Sequence, residues 1–252
     1  MATARLGGPS SASAPGILSP VNSNSAEHLV LMCASALFTG LTQRDCMEIA
    51  SCARARTFAR DELLFIQGQP VRNLMLIQSG SVKHTQLSSD GNEVLIWMSG
   101  SGDAINLQAD SATCSHTCSA RAMEQCKALV WEYSRLQTLL AQHPRIRENI
   151  SRILSGRLRE LEERFREVAT EKVATRLALT ILRLLKQIGK PTDEGIQISL
   201  SREELAQMTG TTLFTISRVL SKWAEKGFIT PGRESVVVGD PTGLKSVSDL
   251  DA

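Results

Sequence analysis

Two stretches of this chain carry side chains whose types and spacing could do chemistry. The first is Thr211-Thr-Leu-Phe-Thr-Ile-Ser-Arg-Val-Leu-Ser-Lys-Trp223. At helical pitch it puts Phe214, Arg218 and Ser221 on one face, with Ser217 and Lys222 on the flanks. An exposed side mixing an arginine, a lysine, hydroxyls and a ring suits the floor of a DNA major groove. An ordinary two-helix corner in a helical domain has the same spacing, so spacing alone leaves both open. The second stretch is Cys114-Ser-His116-Thr-Cys118. If it is extended, a period of two puts Cys114, His116 and Cys118 on one face. Three such ligands could begin a metal or redox site, but zinc normally takes four and no fourth is near. Two cysteines four apart on a strand are too distant for a direct disulfide unless the chain turns. His84 and His116 are the candidates for holding a haem. A plain structural role stands beside all of these.

The elements that must position these residues follow from capping and periodicity. Ser201 is a good N-cap, Glu204 closes a capping box, and Leu200 and Leu205 are placed for a hydrophobic staple. That helix runs to about Met208, and Thr209-Gly210-Thr211 supplies a turn in which Gly210 takes a positive φ. Thr212 caps the second helix, whose Ile216, Val219, Leu220 and Trp223 make one buried stripe. After Phe228-Ile-Thr230, the Pro231-Gly-Arg-Glu234 turn and Ser235–Val238 complete a small hairpin. A helix-turn-helix followed at once by a hairpin is a winged helix, which favours DNA over the bland corner.

Upstream, helical period runs from Arg145 to about Thr170, a length of roughly 38 Å. Leu154, Leu158, Leu161, Phe165 and Val168 follow the a/d seam of a coiled coil, with charged flanks that include Arg157, Glu160, Arg164 and Glu167. A long helix with a narrow apolar seam and no evident cover is expected to be a dimer contact rather than a domain core. A further helix, Glu171 to Ile188, has a broad buried side, and Ile196–Ile198 is a short strand leading into the two-helix stretch.

From about Arg56 to Trp131 short apolar runs alternate with turn dipeptides, which predicts many short antiparallel strands in a roll. Asp90-Gly91 is the hairpin signal between Val82–Leu87 and Glu93–Trp97. Closed double sheets of this kind can enclose a ligand cavity. Two short helices precede the roll, one from Ser25 with Leu29, Met32, Cys33 and Leu37 on one face, the other capped by Thr42. The expected fold is α+β: an N-terminal antiparallel, jelly-roll-like β-roll, a long dimerisation helix and a C-terminal winged helix-turn-helix. The expected division is a disordered tail over 1–24, a sensor domain over 25–133, a helical linker and dimerisation helix over 134–170, a DNA-binding domain over 171–239 and a tail over 240–252.

Composition bounds these readings. The chain has 252 residues, enough for two ordinary domains. Its formal net charge of +2 advertises no nucleic acid, so any such claim rests on a local basic surface. No run approaches the roughly 20 apolar residues of a membrane span, and the N-terminus lacks the apolar core of a signal peptide. The expected location is the cytoplasm, without a membrane partner. Of the six cysteines, most are expected to be small core residues rather than a disulfide framework.

The order of parts resembles the Crp/Fnr superfamily of bacterial transcription regulators. The carriers are Leu64-Phe-Ile-Gln-Gly68, Leu74–Ser81, Asp90-Gly91, Gly102-Asp103 and the block Ser201–Ile229. The resemblance implies a homodimer on palindromic double-stranded DNA, with RNA polymerase as a further partner and no enzymatic activity. It puts Arg218 in the place of the base-reading arginine, whose fork can bond O6 and N7 of a guanine. Thr211 and Thr212 fall at the recognition-helix entrance, where hydroxyls and free N–H groups bind phosphate. Arg202, Ser217 and Lys222 are further candidate contacts. Leu213 and Phe214 depart from the family, which has an arginine and a glutamate there. Phe214 is expected to be exposed and to pack on a thymine methyl.

In the cyclic-nucleotide members a glutamate and an arginine hold the ligand. Leu107 stands where that glutamate belongs and Cys118 where that arginine belongs. Arg121 is near in sequence, but strand alternation points it elsewhere. A cyclic phosphate has therefore lost its main countercharge, and a response to cyclic AMP is not expected. Cys33, Cys46 and Cys52 are too sparse for the iron–sulfur motif of the oxygen-sensing members, so the cofactor stays unknown. Two alternatives remain: a constitutive DNA-binding protein with a purely structural roll, and a cupin-like metal enzyme. The latter needs a His-x-His pair that the chain lacks.

Overall fold

The computed structural model describes residues 18–20, 26–89, 91, 93–107 and 114–250. The chain opens with β1 (Leu18–Pro20), α1 (Ala26–Ala34) and α2 (Gln43–Ser51). Then come β2 (Arg54–Phe58), β3 (Leu63–Phe65), β4 (Asn73–Ser79), β5 (Val82–Leu87), β6 (Glu93–Ser99), β7 (Ala104–Ile105), β8 (Ser119–Ala122) and β9 (Cys126–Glu132). They form two antiparallel sheets, in the orders β1-β2-β9-β4-β7 and β3-β8-β5-β6.

The expected roll is thus present, and period-two patterning explains its layers. In β4, Leu74 and Leu76 pack into the cluster that includes α2, while Met75 and Ile77 face the core between the sheets. Their neighbour β9 divides the same way, with Leu129 and Trp131 on one side and Ala128 and Val130 on the other. A central strand pair buried on both faces needs apolar residues at consecutive positions. The Trp131 indole N–H donates to the Ile49 carbonyl at 2.8 Å, so the largest core ring leaves no polar atom unpaired. The β5–β6 hairpin pairs from Leu87↔Glu93 outward. Its turn holds Gly91 at φ +78°, while Asp90 lies outside the described residues.

The tail expected over residues 1–24 needs a correction at Leu18–Pro20, which pair antiparallel with Arg54–Arg56. Without them β2 would be a sheet edge with open backbone groups, and a flanking segment satisfies them. The rest of that stretch lies outside the described residues. Cys33 also differs from expectation: α1 ends at Ala34 and leaves Cys33 exposed, with Leu37 in a following 3-10 turn.

Next are α3 (Tyr133–Gln142) and α4 (Pro144–Thr170). His143, pushed out of the helical region ahead of a proline, separates them. Leu136, Leu139, Leu140 and Ile146 are buried in the cluster of α1, α2 and the roll. Asn149, wholly buried, donates through Nδ2 to the Leu37 and Thr39 carbonyls, both at 2.9 Å. The first half of the stretch expected as a linker is therefore part of the sensor core.

The C-terminal part consists of α5 (Val173–Ile188), β10 (Lys190–Thr192), β11 (Gly195–Ile198), α6 (Arg202–Thr209), α7 (Leu213–Glu225), β12 (Ile229–Pro231), β13 (Val236–Val238) and α8 (Pro241–Leu250). Its sheet has the order β10-β11-β13-β12. The tail expected over 240–252 is, through Leu250, the helix α8. Asp240 caps it by accepting from the Thr242 and Gly243 N–H groups at 3.0 and 2.9 Å, and Pro241 suits the first helical turn. Leu244 is fully buried in the cluster that α5 helps to build, and that contact holds a segment of weak helix propensity.

The two halves of the molecule share a core. Leu95 and Met98 of β6 belong to one cluster with Leu177, Leu200 and Leu205. The backbone at Gly100 comes so close to α5 that a Cβ there would sit 2.2 Å from the Gln187 carbonyl oxygen. Ion pairs Lys83–Glu204 (3.0 Å), Arg60–Glu234 (3.2 Å) and Lys190–Glu124 cross the same boundary.

Candidate functional site

The helix-turn-helix is built by its caps. Ser201 Oγ accepts from the Glu204 N–H at 3.2 Å while Glu204 Oε2 accepts from the Ser201 N–H at 2.9 Å, closing the capping box that starts α6. Gly210 ends α6 at φ 60°, ψ 48°, a left-handed conformation that a β-carbon penalises. Thr212 Oγ1 accepts from the Thr215 N–H at 3.2 Å and starts α7. Ile216, Leu220 and Trp223 are buried and Val219 is half-buried, which leaves the opposite face of α7 open.

On that face Arg218, Ser221 and Lys222 are exposed and Phe214 is 85% exposed. Leu213 and Thr212 are exposed at the helix entrance, Thr211 and Ser217 are half-buried, and Arg202 is half-buried at the start of α6. The structure thus leaves Phe214, Arg218, Ser221 and Lys222 open along α7, with Thr212 and Leu213 open at its start. The Thr212 hydroxyl is already engaged as the cap of α7.

Along α4, Leu158, Leu161, Phe165 and Val168 are all more than half exposed. Leu154, the fifth seam residue, is partly buried against the sensor core instead. Three of the charged flanks, Arg157, Arg164 and Glu167, do not face open water. Arg157 Nη2 donates to the Ala104 carbonyl at 2.6 Å and Arg164 Nη1 to the Ile96 carbonyl at 2.7 Å, both part-buried. Arg183 of α5 makes a paired bond to Glu167 at 2.6 and 2.8 Å, fastening the end of α4 to the C-terminal half.

Between α4 and the β3-β8-β5-β6 sheet lies a cavity of about 230 Å³. Rings supply much of its wall: Phe65 stacks on His116 (centroids 4.0 Å apart) and His84 on Trp97 (4.7 Å). Leu107 and Cys118 also line it, so the positions of the family's glutamate and arginine are apolar here. Arg121 is on the far side, donating to the Asp61 carbonyl at 2.7 Å.

The expected Cys114, His116, Cys118 face does not form. The chain bends at Thr117 and Cys118, which ends the alternation. Cys114 packs against the helical core cluster, while Cys118 lies in the core between the sheets. The partner of Cys118 is His84, whose Nδ1 is 3.9 Å from Sγ and whose Nε2 is 3.0 Å from Ser99 Oγ. Among the described residues no group of three His, Cys, Asp or Glu side chains is placed to hold a metal. Burial pushes the Cys118 thiol up to about 11 and the Cys126 thiol to about 12, far from thiolate reactivity. His84, Trp97, Arg157 and Arg164 as cavity walls were not evident beforehand. The available signal was the spacing of Arg157, Glu160 and Arg164, three and seven residues along one helical face beside the seam.

Burial, helped by Arg157, pushes the His84 imidazolium down to about 3 from 6.5. Below about pH 6.5 the unfolded chain takes up a proton at His84 that the folded chain refuses, so stability falls with pH across the interval down to about 3. Between pH 7 and pH 5 this one group should cost about 2 kcal/mol. Urea titrations at both pH values are expected to show a His84→Gln variant losing about that much less than the parent protein. Equal losses would refute the assignment.

A winged helix joined to a β-roll through one long helix defines a regulator with a DNA-binding head. The Crp-like helix-turn-helix domain family matches residues 175–247, and the cyclic nucleotide-binding domain family matches residues 55–143. The chain belongs to the Crp/Fnr superfamily of bacterial transcription regulators. It is 25% identical over 216 residues to a CRP-like cAMP-activated global transcriptional regulator of Mycobacterium tuberculosis, covering 85% of this chain and 96% of that one. It is 27% identical over 217 residues to the cyclic AMP receptor protein of Thermus thermophilus, covering 86% and 98%. Among solved structures, the c-di-GMP responsive global regulator CLP of Xanthomonas campestris is similar at a TM-score of 0.66 and 25% identity, over 78% of this chain and 99% of that one. Among the described residues no helix is long and apolar enough to cross a membrane.

Proposed function

We propose that this protein is a homodimeric, sequence-specific transcription regulator whose roll senses a signal other than cyclic AMP. The observation that carries it is the exposed face of α7, with Phe214, Arg218 and Lys222 uncovered while Ile216, Leu220 and Trp223 on the opposite face are packed. The unpartnered seam Leu158, Leu161, Phe165 and Val168 supports pairing with a second copy, which would present two such helices one DNA turn, about 34 Å, apart. Arg218 is assigned to a guanine, Thr211, Thr212 and Arg202 to phosphates at the helix entrance, Ser217 and Lys222 to neighbouring base edges or phosphates, and Leu213 to apolar contact alone. Leu107 and Cys118 in the cavity wall support a ligand other than a cyclic phosphate, which needs a countercharge. RNA polymerase as a partner follows from family membership alone, as does a cytoplasmic location.

In vitro selection from random duplexes tests this. Enrichment of an inverted repeat with one guanine required per half-site is expected. Enrichment of nothing, or of a single asymmetric site, would sink the proposal. A further outcome concerns Phe214, proposed to pack on a thymine methyl. Replacing that thymine by uracil should weaken binding about fourfold per half-site, the worth of one buried methyl. Equal affinity for both duplexes removes Phe214 from the reading face.

A further inference from the structure

We infer that the cavity under α4 takes a compact, uncharged aromatic molecule bearing a hydrogen-bond acceptor such as a ring carbonyl, and not a nucleotide or an organic anion. This rests on the proposed role of the roll as the sensor, and four observations support it.

The first is size. An apolar cavity of about 150 Å³ accepts benzene, and drug-sized ligands need about 300 Å³ or more. At about 230 Å³ this one suits a substituted single ring or a small fused pair. The second is shape and surface. The stacked pairs Phe65/His116 and His84/Trp97, with Leu107, Leu154 and Leu158, offer flat apolar faces on which a ring can stack.

The third is charge. Both guanidinium groups in the wall are committed, Arg157 to the Ala104 carbonyl and Arg164 to the Ile96 carbonyl and to Glu160 at 2.6 Å. Arg157 also feels the carboxylates of Asp103 and Glu160. The two cations therefore meet Glu160 in the wall and Asp103 behind it, so neither guanidinium is free to pair with a phosphate or a carboxylate taken out of water. The fourth is hydrogen bonding. Trp97 Nε1 and Arg164 Nε are buried donors with no acceptor among the described residues, and both side chains line the cavity. A buried donor without an acceptor is costly, so a ligand oxygen within reach is favoured over a hydrocarbon of the same size.

Occupancy would be felt where it matters for a regulator. Leu158 and Leu161 belong both to this wall and to the exposed seam of α4, so a ligand's ring would press on the helix proposed to pair with a second copy.

Calorimetric titration of the full-length protein tests the inference with three probes: acetophenone, benzoate (the same ring with an anionic group) and cyclic AMP. Saturable binding of acetophenone is expected, with benzoate and cyclic AMP at least about tenfold weaker because their charge must be desolvated against guanidinium groups already bonded to the protein's own carbonyls and carboxylate. Trp97→Phe, which keeps the ring and removes the donor, should weaken acetophenone about fivefold. Leu107→Phe, which fills the cavity, should abolish its binding, and if that variant fails to fold Trp97→Phe still decides. No saturable heat with acetophenone, binding of benzoate or cyclic AMP as tight as that of acetophenone, or an unchanged Trp97→Phe affinity would each overturn it. A protein that selects an inverted repeat but shows one of those results loses only the ligand class and keeps the DNA assignment.

Discussion

An Arg218→Ala variant is expected to lose its operator while keeping its grip on DNA in general. A bidentate arginine–guanine contact discriminates by about 1–3 kcal/mol, and a dimer makes it twice, so operator preference should fall roughly 30-fold to 10⁴-fold. The residual binding should be weak, indifferent to sequence and steeply salt-dependent, since the phosphate contacts remain. Arg218 is exposed on α7, so the loss is not one of folding: thermal unfolding should be unchanged within the small range of surface substitutions. Gel-shift titrations against operator and scrambled duplexes at two salt concentrations separate the terms. An unchanged operator affinity would remove Arg218 from the site.

The second large effect is expected at Phe165, 76% exposed on α4 and outside the cavity wall. In a paired seam Phe165→Glu removes an apolar contact and puts a carboxylate into an apolar interface, the more costly change. Sedimentation equilibrium should show monomer at concentrations where the parent is dimer. Operator affinity should fall by about 10²–10⁴, because the second half-site no longer binds at the high effective concentration that linkage provides. Circular dichroism should be unaltered, as the side chain is largely uncovered within its own chain. A variant that stays dimeric with full operator affinity would place the interface elsewhere.

How much of this was legible from residues alone varied with the physics involved. The helix-turn-helix was, down to its caps, because Ser201, Glu204, Gly210 and Thr212 act through local hydrogen bonds and dihedral preferences. So were the strands of the roll, whose alternation reports a two-sided burial. α8 was not, because Leu244 is held by a contact with distant α5 rather than by any period of its own. Arg157 and Arg164 read as solvated flanks because a charged residue beside a seam ordinarily is one. Only the position of the roll shows that their stems cross its surface to backbone carbonyls. The Cys114–Cys118 face failed for a related reason: alternation presumes an extended chain, and a bend at Thr117 and Cys118 breaks it. His84 and Cys118 then meet across 34 positions of sequence, which no local pattern encodes.

Lys83 and His84 are neighbours on β5, and by strand alternation they point to opposite faces. His84 looks into the ringed cavity, while Lys83 reaches Glu204, the same carboxylate that caps the first helix of the DNA-binding head. One sheet therefore serves as a party wall between two rooms, with a fixture bolted through it. A disturbance on the cavity side needs to cross only the thickness of a peptide chain to reach the cap of α6, a route shorter than the length of α4. Any such influence is mutual: DNA that steadies the head must tighten or loosen the hold on a cavity ligand by the same factor.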